Sequence, residues 1–266
     1  MPIQEKCRIL NHQKIGPRHF KLTLASSYIS SHAQPGQFVQ VKCSESRDPL
    51  LRRPLSLHRI LKEHGTFELL YEVVGKGTEL LTRYFVGEEI DCLGPLGKGF
   101  TIDPKKKIHI LVGGGVGVVP LLSLAEQLAQ AKPSSPLALY ILVGAKTREW
   151  VLCEGDFRKI TDQVLVATDD GSYGRKGFIS DLLLEFIENQ LRTLDFGFST
   201  IYACGPKEML KIITEIAFQK KINCQISLEE RMACGIGACL GCAVKTKKGH
   251  KMVCKDGPVF DASELA

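Results

Sequence analysis

The chain has 266 residues, 44% of them hydrophobic and 24% charged, a composition that suits one large globular domain or two ordinary ones. Its net charge is +6, with lysines and arginines dispersed apart from short runs such as Lys105 to Lys107. No aromatic residues interleave with these runs, which argues against a nucleic-acid partner and favours small anionic ligands such as nucleotide phosphates. The segment MPIQEKCRIL lacks the apolar centre of a signal peptide. No run reaches the ~18 apolar residues of a membrane span, so the expectation is a soluble, cytoplasmic protein that does not enter a membrane.

Residues 1–102 read as an antiparallel β-barrel or sandwich. QFVQVKC alternates, TFELLYEVV is rich in strand formers, and EEIDCLGPLGKGF closes on a Gly/Pro cluster. Within this part, DPLLRRPLSLHRI puts Arg53 before Pro54, which biases Arg53 to extended backbone. An arginine held beside Ser56 on a strand could clamp a phosphate. LYEVVGKGTELL reads as a strand, a glycine turn and a helix start, where Gly77 and Thr78 could supply N–H and hydroxyl groups to a second phosphate oxygen. Taken singly, each is better explained as a surface arginine and an ordinary Gly-Thr helix cap. His58 and His64 have no visible acid or nucleophile partner and are read as structural or solvent-facing.

The pattern changes near Pro104. From 103 to 222 short apolar runs (KKIHILV, PLALYILVGA, DQVLVAT, STIYACGP) alternate with helical stretches (LLSLAEQLAQA, SDLLLEFIENQL, KEMLKIITEIAFQ). That order predicts an α/β domain with a parallel sheet. LVGGGVGVVPLLSL is a strand, a glycine turn and a helix with Pro120 in its first turn. Gly113, Gly114, Gly115 and Gly117 would let a nucleotide approach the backbone. The stretch is not the G-x-G-x-x-G fingerprint, so a plain tight turn stays open as an alternative. TDDGSYGRKG and CGPKEM are also Gly-rich where strand ends should face a ligand, and CGPKEM adds Cys204, Gly205 and Pro206 there. GAKTREWVL carries Lys146 and Arg148 and no early acid, which leaves NAD and NADP both open.

The chain contains ten cysteines. Cys7, Cys43, Cys92, Cys153, Cys204 and Cys224 are scattered and suit small, mostly buried apolar positions. Cys234, Cys239, Cys242 and Cys254 form C-x₄-C-x₂-C-x₁₁-C in a glycine-rich tail, 223–266. This is the plant-type [2Fe–2S] spacing. A zinc ribbon would pair two C-x₂₋₄-C knuckles, and Cys254 has no near partner. Gly235, Gly237, Ala238 and Gly241 leave amides free to point at sulfur.

RPLS, LYEVVGKGT, GGGVGVVP and CGPKEM together resemble the flavin and nicotinamide signatures of the ferredoxin–NADP reductase superfamily. With SLEERMACGIGACLGC added, the chain resembles the electron-transfer subunits of class 1B, NAD-linked dihydroorotate dehydrogenases over nearly its full length. The resemblance implies FAD on Arg53, Pro54, Leu55, Ser56, Leu70, Tyr71, Glu72, Gly77 and Thr78. It implies NAD over Gly113, Gly114, Gly115, Gly117, Cys204, Gly205 and Pro206, and a [2Fe–2S] cluster on the four tail cysteines. It further implies a separate FMN-bearing dihydroorotate dehydrogenase subunit as partner, in a heterotetramer of two chains each. Electrons would run from FMN through the cluster and FAD to NAD⁺ in pyrimidine (UMP) biosynthesis, with no side chain acting as acid or base. Leu55 stands where the superfamily usually has an aromatic residue, which shifts flavin stacking toward Tyr71. The alternative is a free-standing NAD(P)H reductase for ferredoxin, sulfur or quinone.

Overall fold

The computed structural model describes residues 1–130, 138–190 and 196–265. These divide into two compact units: 1–99 with 229–245 and 249–259, and 100–228 with 246–248 and the stretch from 260 onward. Ala131, Pro136, Leu137 and Leu191, which the sequence assigns to helix or strand runs, lie outside the described residues.

In the first unit the elements are β1 (Ile3–Lys14), β2 (His19–Ala25), α1 (Ser27–His32), β3 (Phe38–Val41), β4 (Arg53–Leu61), β5 (Thr66–Glu72), α2 (Lys76–Leu81) and β6 (Glu89–Leu96). The six strands close an antiparallel barrel in the order β1-β2-β5-β4-β3-β6, as expected from the short alternating runs. Alternation decides what fills it. Val39 and Val41 of β3 point inward with Leu22, Leu57, Phe67 and Leu69, while Phe38 and Gln40 lie on the other face. α1 was not legible in the sequence; its six residues start under a Ser26 side-chain cap to the Ile29 amide at 2.9 Å.

The second unit contains β7 (Ile108–Gly114), α3 (Val119–Gln130), β8 (Ala138–Ala145), α4 (Glu154–Arg158), β9 (Val164–Thr168), β10 (Arg175–Lys176), α5 (Ile179–Gln190), β11 (Ser199–Cys204), α6 (Lys207–Gln219) and β12 (Asn223–Ser227). β13 (Ala243–Thr246) and β14 (Gly249–Met252) form a two-stranded sheet, followed by α7 (Val253–Asp256) and β15 (Val259–Asp261). The large sheet runs β10-β9-β8-β7-β11-β12-β15, with β7, β8, β9, β11 and β12 parallel. The central strands β7 and β8 are nearly continuous buried runs, as in parallel sheets with helices on both faces; Ile110, Val112, Leu142, Leu183, Ile187 and Ile213 form much of the core on one side.

The strand order reverses at β7. The chain leaves β7 toward β8 and β9, then returns to place β11 on the opposite flank. In open α/β sheets ligands lie beyond the carboxyl ends of strands at such a switch point. Here those ends carry the two glycine turns, 113–117 and 204–206.

Candidate functional site

In the barrel unit, Arg53, Pro54, Leu55 and Ser56 open β4 in register with Val41, Gln40, Val39 and Phe38. The half-buried Arg53 donates from Nη1 to the carbonyl oxygens of Leu51 (2.7 Å) and Arg52 (3.3 Å). Arg52 is committed to Asp91, with Nη2 donating to Oδ2 at 2.8 Å; Arg53 has no such carboxylate among the described residues. Its guanidinium lies against Gly77, where a β-carbon would stand 2.6 Å from Nε and 3.0 Å from Cζ. The fold thus joins Arg53 to the turn that holds Gly77 and Thr78, which are distant in sequence. The result is a fixed, unpaired cation beside a glycine turn, the donor set that suits a phosphate.

Two details of the sequence reading change. The Thr78 hydroxyl accepts from the amides of Val74 (3.0 Å) and Gly75 (3.3 Å) and donates to the Gly75 carbonyl (3.0 Å), so it closes its own turn. Tyr71 faces the barrel interior, because alternation along β5 sends Phe67, Leu69 and Tyr71 inward. Its ring stacks on Phe20 with centroids 5.9 Å apart, and its hydroxyl is 3.1 Å from His12 Nε2. Burial raises this phenol well above the ordinary tyrosine value. The Tyr71 ring is therefore packed in the core rather than presented as a stacking face. Leu70 and Glu72 lie on the other face of the strand, Leu70 buried and Glu72 half-buried. His58 is buried and His64 exposed.

At the switch point of the sheet, Cys204 pairs in register with Gly113. A β-carbon on Gly117 would lie 2.2 Å from the Cys204 carbonyl oxygen and 2.6 Å from Gly205 Cα. One on Gly114 would meet Met209 Sδ at 2.5 Å and Pro206 Cδ at 3.2 Å. The two turns pack backbone on backbone, and the glycines are what allows it. Gly115 (φ +56°) has open space where its β-carbon would be, so its backbone is free for a ligand. α3 then begins at Val119 with Pro120 in its first turn. Cys204 is half-buried. Met209 was not singled out from the sequence, although the spacing of CGPKEM puts it on the first turn of α6, where it clamps Gly114 and Gly205 together. Further along the edge, Arg148 stands over the Tyr173 ring at 5.2 Å, its amide donates to Ser172 Oγ at 2.8 Å, and the Asp170 amide reaches the Lys146 carbonyl at 3.3 Å.

The tail cysteines gather in the barrel unit. Gly235 (φ +72°) and Gly237 (φ +82°) take left-handed backbone. Such turns aim successive amides into one concavity, an arrangement that suits anionic sulfur. The Gly237 amide donates to Cys254 Sγ at 3.1 Å, the Ala238 amide to Cys234 Sγ at 3.3 Å, and the Cys254 amide to Cys242 Sγ at 3.4 Å. Cys242 and Cys254 are buried, Cys234 half-buried and Cys239 exposed. Burial opposes ionisation of Cys234, but the amides of Ile236, Cys239 and Ala238 and the Cys239 side chain outweigh it and bring the thiol down to about 6. Burial, then the neighbouring Cys242 thiol, push Cys254 up to about 12. Among the described residues no three His, Cys, Asp or Glu side chains form a group positioned to hold a metal ion. The donor chemistry nevertheless fits an iron–sulfur cluster: four thiols on one loop and its return, with amides directed at sulfur. Gln40 was also missed. It is wholly buried on the outward face of β3, and a β-carbon on Gly235 would lie 2.7 Å from its Cγ.

Known proteins place these features in one class. Residues 111–215 match the oxidoreductase NAD-binding domain. Residues 229–266 match the iron–sulfur cluster binding domain of dihydroorotate dehydrogenase B. The solved structure of an NADH-dependent reduced ferredoxin–NADP oxidoreductase superposes with a TM-score of 0.85 at 31% identity, over 98% of this chain and 90% of that one. Barrel, nucleotide-type sheet and cysteine-rich tail therefore define an iron–sulfur oxidoreductase of the ferredoxin–NADP reductase fold. The chain is 41% identical to the dihydroorotate dehydrogenase B (NAD(+)) electron transfer subunit of Geobacillus thermodenitrificans, over 98% of both chains. It is 38% identical to that of Desulforamulus reducens, over 97% of this chain and 96% of the relative. It belongs to the family of dihydroorotate dehydrogenase B electron transfer subunits. Among the described residues no helix is long and apolar enough to cross a membrane.

Proposed function

We propose that the chain carries electrons between an FMN-bearing dihydroorotate dehydrogenase subunit and NAD⁺ in pyrimidine (UMP) biosynthesis, in a cytoplasmic heterotetramer of two chains each. Three stretches divide the work: 1–102 for FAD, 103–222 for NAD and 223–266 for a [2Fe–2S] cluster. The observation that carries the reading is the cysteine loop, whose amides are already directed at three of its four sulfurs.

Nicotinamide chemistry moves two electrons as hydride and an iron–sulfur cluster moves one, and bound FAD supplies the exchange between the two. The chain's own residues bind and orient. Arg53 provides the cation for the flavin's pyrophosphate, and Gly77 keeps the adjoining backbone low enough for Arg53 to lie across it. Pro54, Leu55, Ser56, Leu70, Tyr71, Glu72 and Thr78 shape the remaining flavin surface; Tyr71 contributes by its backbone and by rigidifying β5, since its ring is turned inward. Gly113, Gly114, Gly115 and Gly117 open one strand end to the dinucleotide, and Cys204, Gly205 and Pro206 form the facing edge. Cys234, Cys239, Cys242 and Cys254 are the four thiolate donors. No residue here has to take or give a proton to the substrate.

Reconstitution tests the reading. The chain is combined with an FMN-bearing dihydroorotate dehydrogenase subunit, and NAD⁺ reduction by dihydroorotate is followed at 340 nm (NADH absorbance). Turnover that needs both chains, in a complex of fixed stoichiometry, supports it. Full NADH-dependent turnover by this chain alone with a ferredoxin or quinone, and none with the subunit, would select the free-standing reductase.

A further inference from the structure

Gln40 combines three properties. It is fully buried. Neither its Oε1 nor its Nε2 has a hydrogen-bond partner, although a buried carboxamide normally finds several. And it lies directly beneath the cysteine loop, with Nε2 3.0 Å from the position a β-carbon on Gly235 would occupy. Gly235 follows Cys234, and its φ of +72° turns the loop so that no side chain separates it from the carboxamide.

The placement follows from the strand. β3 is short and wholly buried, with Val39 and Val41 filling the barrel. Alternation then sends Gln40 outward, where an exposed strand would meet water. The tail occupies that place instead. Nearby, the Lys98 amide donates to the Gly257 carbonyl and Lys98 bridges to Pro258, so the tail is fixed to the end of β6 as well. On its other side Gln40 pairs in register with Pro54 of the arginine-proline stretch. One unsatisfied amide thus lies between the strand proposed to carry flavin and the loop proposed to carry iron.

We propose that Gln40 is a positioning residue whose Nε2–H groups donate toward the sulfur atoms held by the 234–242 loop, raising the reduction potential of the cluster. This rests on the cofactor assignment above. A hydrogen bond to sulfur withdraws charge and stabilises the reduced, more negative form, so the protein's donors set the potential. No bond is made or broken: the cluster gains one electron and the amide keeps its protons. The loop's own amides from Gly237 and Ala238 act in the same sense, and Gln40 is the one such donor supplied by a barrel strand that this geometry identifies.

The test is Gln40→Met in the full chain with its cofactors, matching the side chain in length and removing both donors. Iron and flavin content are measured first, then cluster and flavin midpoints by a redox titration followed by EPR and visible absorbance. The cluster midpoint should move to more negative potential while the flavin midpoint stays within error of wild type. An unchanged cluster midpoint, or a shift confined to the flavin, overturns the proposal. If Gln40→Met does not retain iron, Gln40→Leu is measured by the same criterion; loss of iron from both would make Gln40 a determinant of cluster retention rather than of potential and overturns the proposal as stated. Wild-type protein without iron or an EPR signal would instead refute the cofactor assignment itself.

Discussion

Arg53 lies across Gly77 so closely that a β-carbon at position 77 would stand 2.6 Å from its Nε. If this pair is the flavin's phosphate clamp, Gly77→Ala must displace the guanidinium and Arg53→Ala must remove it. Hydrogen bonds to charged groups contribute about 1.5–3 kcal/mol. Loss of the clamp should therefore weaken FAD binding roughly 10- to 150-fold, read as Kd from flavin fluorescence on adding FAD to the flavin-free protein. Arg53→Lys keeps a charge without the planar fork and should fall between. An unchanged Kd in Arg53→Ala would remove Arg53 from the site.

The glycine at 117 answers to a backbone rather than to a flexible side chain. Its missing β-carbon leaves room for the Cys204 carbonyl oxygen, 2.2 Å from where that carbon would be. Gly117→Ala must push the two turns apart. Overpacking of this kind costs about 1–3 kcal/mol, which denaturant midpoints would register. The same displacement should raise KM for NADH in a dye-reduction assay and leave the FAD Kd alone. By contrast Gly115 faces open space, and a KM effect at Gly117 without any loss of stability would mean that the turns are not packed as described.

Cys239 is the exposed member of the four tail thiols. Cys239→Ser should lower bound iron, spare NADH oxidation with an artificial acceptor, and abolish transfer to the proposed FMN-bearing partner. Equal loss of both activities would place the cluster between nicotinamide and flavin instead and contradict the proposed order.

Much of this was legible because the chemistry resides in local strings. The cysteine spacing points to a cluster within a few residues, whereas the glycine turn after β7 and the CGP turn after β11 gain a nucleotide reading only together with the other strings. Strand alternation likewise exposed the barrel. What the sequence could not convey is which strings meet. Arg53 and Gly77 are joined by the antiparallel pairing of β4 with β5, which sets the start of one strand beside the end of the other, and Gly117 and Cys204 by the reversal of strand order at β7. Tyr71 was misread because an aromatic in a flavin-like motif suggests stacking, whereas its parity with Leu69 sends the ring into the core. Gln40 gave no signal at all, since a glutamine in an alternating strand reads as solvent-facing until the tail is seen to cover it. Met209 did have a signal, its fixed spacing after Pro206, and was passed over beside the thiol.

A buried histidine gives the sheet unit a pH dependence. His109 is wholly buried in β7, with Nδ1 3.1 Å from the Tyr202 hydroxyl and its ring stacked on Tyr202 at 5.7 Å. Burial holds its pKa below the usual imidazole value, against a smaller opposing backbone contact at Lys106. The unfolded chain protonates this residue near pH 6.5, and the folded chain only at lower pH. Stability from His109 is therefore fully present above about pH 6.5 and lost as pH falls toward the folded value, because the unfolded state then binds the extra proton. Each unit of lowering is worth about 1.4 kcal/mol. His109→Phe keeps a ring against Tyr202 and removes the titration; its loss of the hydroxyl contact is independent of pH and drops out of the slope. Urea midpoints between pH 8 and 5 should fall more steeply for wild type than for the variant. Parallel curves would mean that His109 is protonated as readily in the folded protein as in the unfolded chain.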